Sequence, residues 1–266
     1  MDQATNGAPI DFNLTQLLQS VLKADKEELF QHLQSQSGEV LLTALRNPVL
    51  DENHLLALLK RRSLGEDVFA ALYASKRHQE SYKVTFALVC HPEAPSHIAQ
   101  TLLPRFYILD LAKVCSMPGV PPDLRLQAER SIVQRLPTQP LGTKLTLARR
   151  GMAAVVEALL REGLPILVEA CLANPHMKEG AVHQFIASYQ STAETISMVA
   201  RSSRWKGRPN IRLAILKNPR TPSIWFTLFL PGLSRQVLRD LVSNQKLIPA
   251  QKELVRRALN NRGSAP

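Results

Sequence analysis

The sequence predicts an all-α protein: about five helix pairs stacked in line as a right-handed α-α superhelix, behind a helical N-terminal cap. Three observations carry that prediction. Leu, Ala and Val dominate the apolar set, with aromatics at only 5% and 11 glycines in 266 residues, a mix that suits helices better than sheets. Proline-marked corners recur along the chain. Apolar residues keep fixed places on both sides of those corners. With 45% apolar residues, the chain is long enough and apolar enough to bury a substantial core.

Taken in order, residues 1–12 ("MDQATNGAPIDF") read as a disordered start that carries acids. They lack the basic and apolar regions of a signal peptide. Residues 13–37 ("NLTQLLQSVLKADKEELFQHLQSQS") read as the helical cap. Repeats fill residues 38–260, a single solenoid domain spans 13–260, and residues 261–266 read as a frayed end. The longest apolar run, Ile224 to Leu230, stops at Pro231, far short of the ~18 residues that cross a bilayer. The expected compartment is the cytoplasm.

The clearest corner is "ILKNPRTPSIW", residues 215–225. Proline lacks a backbone N–H and pushes its predecessor out of helical geometry, yet it is welcome in a first helical turn. Asn218 and Pro219 therefore stop one helix, Thr221 is placed to cap the next, and Pro222 opens it. Related corners fall at Pro48, Pro92, Pro137 and Pro175, at intervals of 44, 45, 38 and then 44 residues to Pro219. A second proline follows three residues later at Pro95, Pro140 and Pro222, but Asp51 and Lys178 stand there in the other two copies.

Flanking residues keep the register. Three before each corner proline stand Leu45, Val89, Gln134, Leu172 and Leu216; ten and eleven after it stand pairs such as Leu58/Leu59, Phe185/Ile186 and Phe229/Leu230. Those pairs belong on the buried face of the helix that follows. Two stretches match at length: Pro92, Pro95 and Pro104 correspond to Pro219, Pro222 and Pro231 at a constant offset of 127 residues. With a small shift, Asp110-Leu111 then corresponds to Asp240-Leu241.

With periods near 40–47 built from helix pairs, the chain resembles the HEAT-like α-solenoids. Its Asn-Pro-x-Thr-Pro corner also looks like that of the leucine-rich repeat variant, a bacterial all-helical relative. The resemblance covers roughly residues 38–260. It departs from the variant family in a period nearly twice as long and in lacking that family's cysteine-rich iron–sulfur segment, so no cluster is carried over.

Charge is polarised along the chain. Residues 1–100 sum to −3, residues 101–200 to +2 and residues 201–266 to +12, within a total of +11. Such a field draws anionic surfaces to one end. The densest stretch is "RSSRWKGRPNIRLAILKNPR", with Arg201, Arg204, Lys206, Arg208, Arg212, Lys217 and Arg220 around Trp205. Gly207 and Pro209 make its first half a loop, so these side chains can converge on an anionic partner, with guanidinium forks for phosphate and an indole for a base. The alternative is a solvated basic face with Trp205 packed inside. Lys60, Arg61 and Arg62 suit the carbonyls of a helix end.

No catalytic pattern stands out. The histidines His32, His54, His78, His91, His97, His176 and His183 lack ligand spacing, and Cys90, Cys115 and Cys171 sit apart in apolar helical text, as small core residues in a reducing compartment do. P-loop, GxGxxG and GxSxG motifs are missing, and neither metal nor cofactor is expected. Trp225, Phe226 and Phe229 read as a buried helix. The expected function is non-catalytic: a binding or scaffold protein that docks a protein or other anionic partner on its solenoid surface and basic C-terminal end. The alternative is nucleic-acid binding, extending by fold analogy to an alkylpurine DNA glycosylase-like enzyme with Asp240 as its acid; an anionic membrane surface is a further candidate.

Overall fold

In a computed structural model that describes residues 12–261, every regular element among the described residues is helical. The expected disordered start and frayed end fall, over residues 1–11 and 262–266, outside the described residues; Phe12 already opens a helix, and Asn261 closes the last one. Contacts divide the chain into two compact units, with the division after Ala128.

The first unit contains α1 (Phe12–Lys23), α2 (Lys26–His32), α3 (Gly38–Ala44), α4 (Glu52–Leu58), α5 (Glu66–Ala74), α6 (Tyr82–Cys90), α7 (Ser96–Leu102) and α8 (Ile108–Ser116), and the division falls inside α9 (Pro122–Arg135). The second contains α10 (Leu141–Arg150), α11 (Ala153–Leu160), α12 (Pro165–Ala173), α13 (Glu179–Ala187), α14 (Ala193–Arg201), α15 (Pro209–Lys217), α16 (Ser223–Phe229), α17 (Arg235–Ser243) and α18 (Pro249–Asn261). Within each unit a helix packs closely only on helices one or two places away in the chain: α1 on α3, α2 on α4 and α4 on α6 in the first; α10 on α12, α11 on α13 and α13 on α15 in the second. This is the all-α, solenoid-like packing expected of stacked repeats, in which odd and even helices form two layers.

The count of repeats differs from the expected five pairs. Each interval between corner prolines holds three helices: α4 to α6, α7 to α9, α10 to α12 and α13 to α15. Most of the turns carry no Asn-Pro signal and leave no mark as corners. One is the loop 59–65; another is the turn at Gly163, whose φ of +72° and 3.0 Å approach to the Gln190 carbonyl from a Cβ position exclude a side chain. The register of the buried positions holds. Leu45, Val89, Leu172 and Leu216 are buried, as are Leu58/Leu59, Leu102/Leu103, Leu147/Ala148, Phe185/Ile186 and Phe229/Leu230.

The 127-residue match is a match of structure throughout. α7, the following 3-10 turn and α8 have the same bounds as α16, its 3-10 turn and α17 once 127 is added, and α9 and α18 both open on proline, at Pro122 and Pro249. No shift is needed. Asp110 therefore corresponds to Val237 and not to Asp240.

Two details of the corner also change. The second proline of each pair is the N-cap residue, with extended ψ at Pro95, Pro140 and Pro222 (129°, 152° and 144°). Thr221 caps nothing: it is buried, and its hydroxyl turns back to the Ile215 carbonyl at 2.5 Å. The asparagine does the work instead. The Asn218 side chain accepts from the Arg220 N–H at 2.8 Å, closing its own turn, and donates to the Ile186 carbonyl at 2.5 Å and to Ser191 Oγ at 3.1 Å, one helix pair back.

The same clamp recurs. Asn174 accepts from His176 N–H (2.7 Å) and donates to the Ala148 and Gly151 carbonyls (2.9 and 3.2 Å). Asn47 accepts from Val49 N–H (2.9 Å) and donates to the Val21 and Ala24 carbonyls (2.8 and 3.0 Å). At the corner of Pro92 an imidazole serves: His91 Nδ1 accepts from Glu93 N–H at 3.1 Å, and Nε2 donates to the Arg61 carbonyl at 2.6 Å. Each clamp reaches 23–32 residues back, never 44, so the mechanical step of the stack is two helices. The last helix joins through buried Gln251, which donates to the Pro219 and Thr221 carbonyls, both at 3.0 Å.

Candidate functional site

The eight residues of the basic stretch do not converge. Arg201 ends α14, Arg204 to Arg208 lie in the loop before α15, Lys217 closes α15 and Arg220 follows it, so most of a nine-residue helix of about 13 Å separates the two groups. Several of them serve the stack. The Arg204 guanidinium donates to three carbonyls of the preceding corner, those of Asn174 (2.5 Å), Pro175 (3.2 Å) and Met177 (2.8 Å). Arg220 donates to the carbonyls of Tyr189 and Ser191. Arg212 bonds the Lys206 carbonyl at 2.5 Å and lies 5.4 Å over the Phe229 ring, while Arg208 faces Glu179 at 3.9 Å.

Trp205 is only 2% exposed, and its indole N–H donates to the Leu172 carbonyl at 3.0 Å. It is the packed alternative of the two sequence readings, with no open face for a base. Arg201, Lys206 and Lys217 remain as exposed cations. Arg61, in the earlier basic run, likewise donates to the Leu33 carbonyl at the end of α2, in place of the carbonyls of its own helix.

What the second unit does present is a groove beside α15. One part, about 470 Å³, lies between α13, α15 and α17 against His183, Lys217, Asp240, Asn244 and Lys246. An adjoining part of about 360 Å³ runs toward Gly180 and Asn210 and shares His183, Ala214 and Lys217 with the first. Both volumes fall in the range of ligand-holding clefts. The groove opens where packing lapses: α13 packs closely on α15, but α15 and α17 meet only loosely. The sequence reading found Lys217 and Asp240 but missed the others. The missed signal is the two-helix step, which brings Gly180, Asn210 and Asp240, each 30 residues apart, to this one groove.

Charge divides as the units do. Residues 129–266 hold 21 Lys and Arg against 8 Asp and Glu, and residues 1–128 hold 12 against 14. The second unit thus carries +13 and the first −2.

The remaining candidates are structural. Burial first, and the Asp110 charge second, push the Cys90 thiol up to about 12; burial with Glu162 does the same for Cys171. Both thiols stay protonated at neutral pH, and a protonated thiol is a poor nucleophile. Cys115 is buried. No cluster of three His, Cys, Asp or Glu side chains able to hold a metal ion occurs among the described residues; the side chain of His78 lies outside them. Trp225, Phe226 and Phe229 are buried, and the Trp225 indole donates to Ser197 Oγ at 2.9 Å. Among the described residues, no helix is long and apolar enough to cross a membrane. No protein-family model, curated protein or solved structure matches the chain.

Proposed function

We propose that the protein is a non-catalytic docking protein of the HEAT-like kind, whose basic second unit captures an acidic partner. The observation that carries this reading is the +13 of residues 129–266 beside the −2 of residues 1–128. A field of that size on one unit attracts anionic surfaces and speeds encounter with them. An acidic protein suits it better than a nucleic acid, because the tryptophans are buried and the Arg204 and Arg220 guanidiniums already hold backbone carbonyls. The absence of a disulfide among Cys90, Cys115 and Cys171 fits the reducing cytoplasm as the compartment.

Fluorescence anisotropy with labelled poly-glutamate and poly-lysine tests the reading. The protein should bind poly-glutamate at 50 mM NaCl and lose at least tenfold in affinity at 200 mM as screening shortens the field. Equal binding of poly-lysine, or binding indifferent to salt, would refute it.

A further inference from the structure

We infer that the corner at His91 is an acid-sensitive latch, which holds the basic loop 59–65 of the first unit and releases it on protonation. Of the four corner clamps, three use the amides of Asn47, Asn174 and Asn218, and an amide does not titrate. The fourth uses an imidazole, the side chain that changes charge nearest neutral pH.

The bonds of His91 fix which form the latch accepts. Nε2 donates to the Arg61 carbonyl at 2.6 Å, so it carries the ring's hydrogen. Nδ1 accepts from the Glu93 N–H at 3.1 Å and must be bare. The ring is therefore neutral while the latch is shut. A proton on Nδ1 would set two donors face to face at a side chain only 4% exposed, with the Phe69 ring 4.9 Å away, and a buried charge without a partner is costly. The other buried histidine of this unit is arranged differently. His54 Nδ1 lies 2.6 Å from an Asp51 carboxylate oxygen, closer than the Asp51 N–H at 3.2 Å, and Nε2 lies 3.0 Å from the Lys26 carbonyl. Acceptors face both nitrogens, so acid leaves that contact in place.

The charged neighbours decide where the protonated ring turns. On its own loop, the Glu93 carboxylate accepts from the Leu64 N–H at 3.0 Å. On the facing loop, the Arg61 guanidinium reaches away to the Leu33 carbonyl, and Lys60 and Arg62 are exposed. α5 carries Glu66 and Asp67 in its exposed first turn, and α9 brings Asp123 to a small hollow that His91 also lines. Carboxylates draw an imidazolium away from the Glu93 N–H, and capture of the Glu93 carboxylate strips the Leu64 N–H of its acceptor. Residues 91–93 thus hold loop 59–65 at two points, Arg61 and Leu64. One proton loosens both and frees Lys60, Arg61 and Arg62 together.

Trypsin tests the latch on the full chain, because the residues it frees are trypsin sites. Cutting after Lys60, Arg61 and Arg62 is read by mass spectrometry against cutting after exposed Lys206 in the second unit, which cancels the protease's own pH dependence. With an ordinary value of about 6.5 for the released ring, the wild-type ratio should rise roughly tenfold from pH 7.5 to 5.5. His91→Asn installs the amide of the other corners, so its ratio should match the wild type at pH 7.5 and change less than about twofold by pH 5.5. His91→Phe loses both bonds, so its loop should be cut fast, and equally fast at both pH values. A wild-type ratio that stays flat would overturn the inference. So would a rise as large in both variants as in the wild type, which would assign the acid response to another group.

Discussion

At the residue scale, a single asparagine does two jobs that the corner needs. Prolines at the corner leave neighbouring backbone groups without intrahelical partners, and buried groups left so cost about 1–3 kcal/mol each. Asn174 is 1% exposed and serves three of them, the Ala148 and Gly151 carbonyls and the His176 N–H. Asn174→Ala should therefore destabilise the protein by about 3 kcal/mol in urea unfolding, as three small deletions at one point. Asn174→Asp should cost more, because a carboxylate would face two carbonyl oxygens. Asn210→Ala, at an exposed site, should cost under about 0.5 kcal/mol. Equal effects of all three would show that the clamp contributes nothing. That Asn218-Pro219 stops a helix was legible from the sequence. That the amide reaches into another helix pair was not, since its acceptors are carbonyls that every residue carries.

At the element scale, a polar strut ties α6 to α8. The Tyr82 hydroxyl donates to Asp110 Oδ2 at 2.6 Å and accepts from the Tyr107 N–H at 3.3 Å, while Lys113 donates to Asp110 Oδ1 at 2.7 Å. Burial raises the Asp110 carboxyl, but bonds from Lys113 and Tyr82 outweigh it and hold the group below its ordinary value. Burial, then the bond to Asp110, pushes the Tyr82 phenol up to about 12. A depressed acid contributes stability above its unfolded value, about 4, and loses it as pH falls through the folded one; a raised phenol contributes fully below about 10 and loses it as pH climbs toward the folded value. The strut is therefore intact from about pH 4 to pH 10. Tyr82→Phe should cost about 1 kcal/mol at pH 7, given that the tyrosine is 41% exposed. Urea titrations should show that cost shrinking by pH 3; a cost that is flat with pH would contradict the assignment. The same helices show what sequence alignment misplaced. A shift brought Asp110 opposite Asp240, whereas the element bounds set Asp110 opposite Val237, because helix ends, not single acids, keep the register.

At the scale of the whole molecule, charge is the unbalanced quantity. A unit at +13 repels itself, and salt screens that repulsion once the Debye length falls near 8–10 Å. Raising NaCl from 20 to 200 mM should lift the thermal midpoint by about 3 °C, the equivalent of about 1 kcal/mol, read by circular dichroism at 222 nm. A midpoint that fell would mean that ion pairs such as Lys144–Glu162 at 2.9 Å outweigh the net field.

By itself the sequence determined the helical class, the corners at Pro48, Pro92, Pro137, Pro175 and Pro219, and the apolar positions buried beside them, because a missing N–H and a 3.6-residue period act on the chain locally. Only the tertiary structure decided that three helices fill each interval, that Trp205 and Arg204 face inward, and that a groove opens between α15 and α17. Turns without proline leave no mark in composition. Backbone carbonyls accept from Asn174 or Arg204 whatever side chain they carry, and the exposure of a lysine such as Lys217 depends on how closely the helix two places along comes to rest.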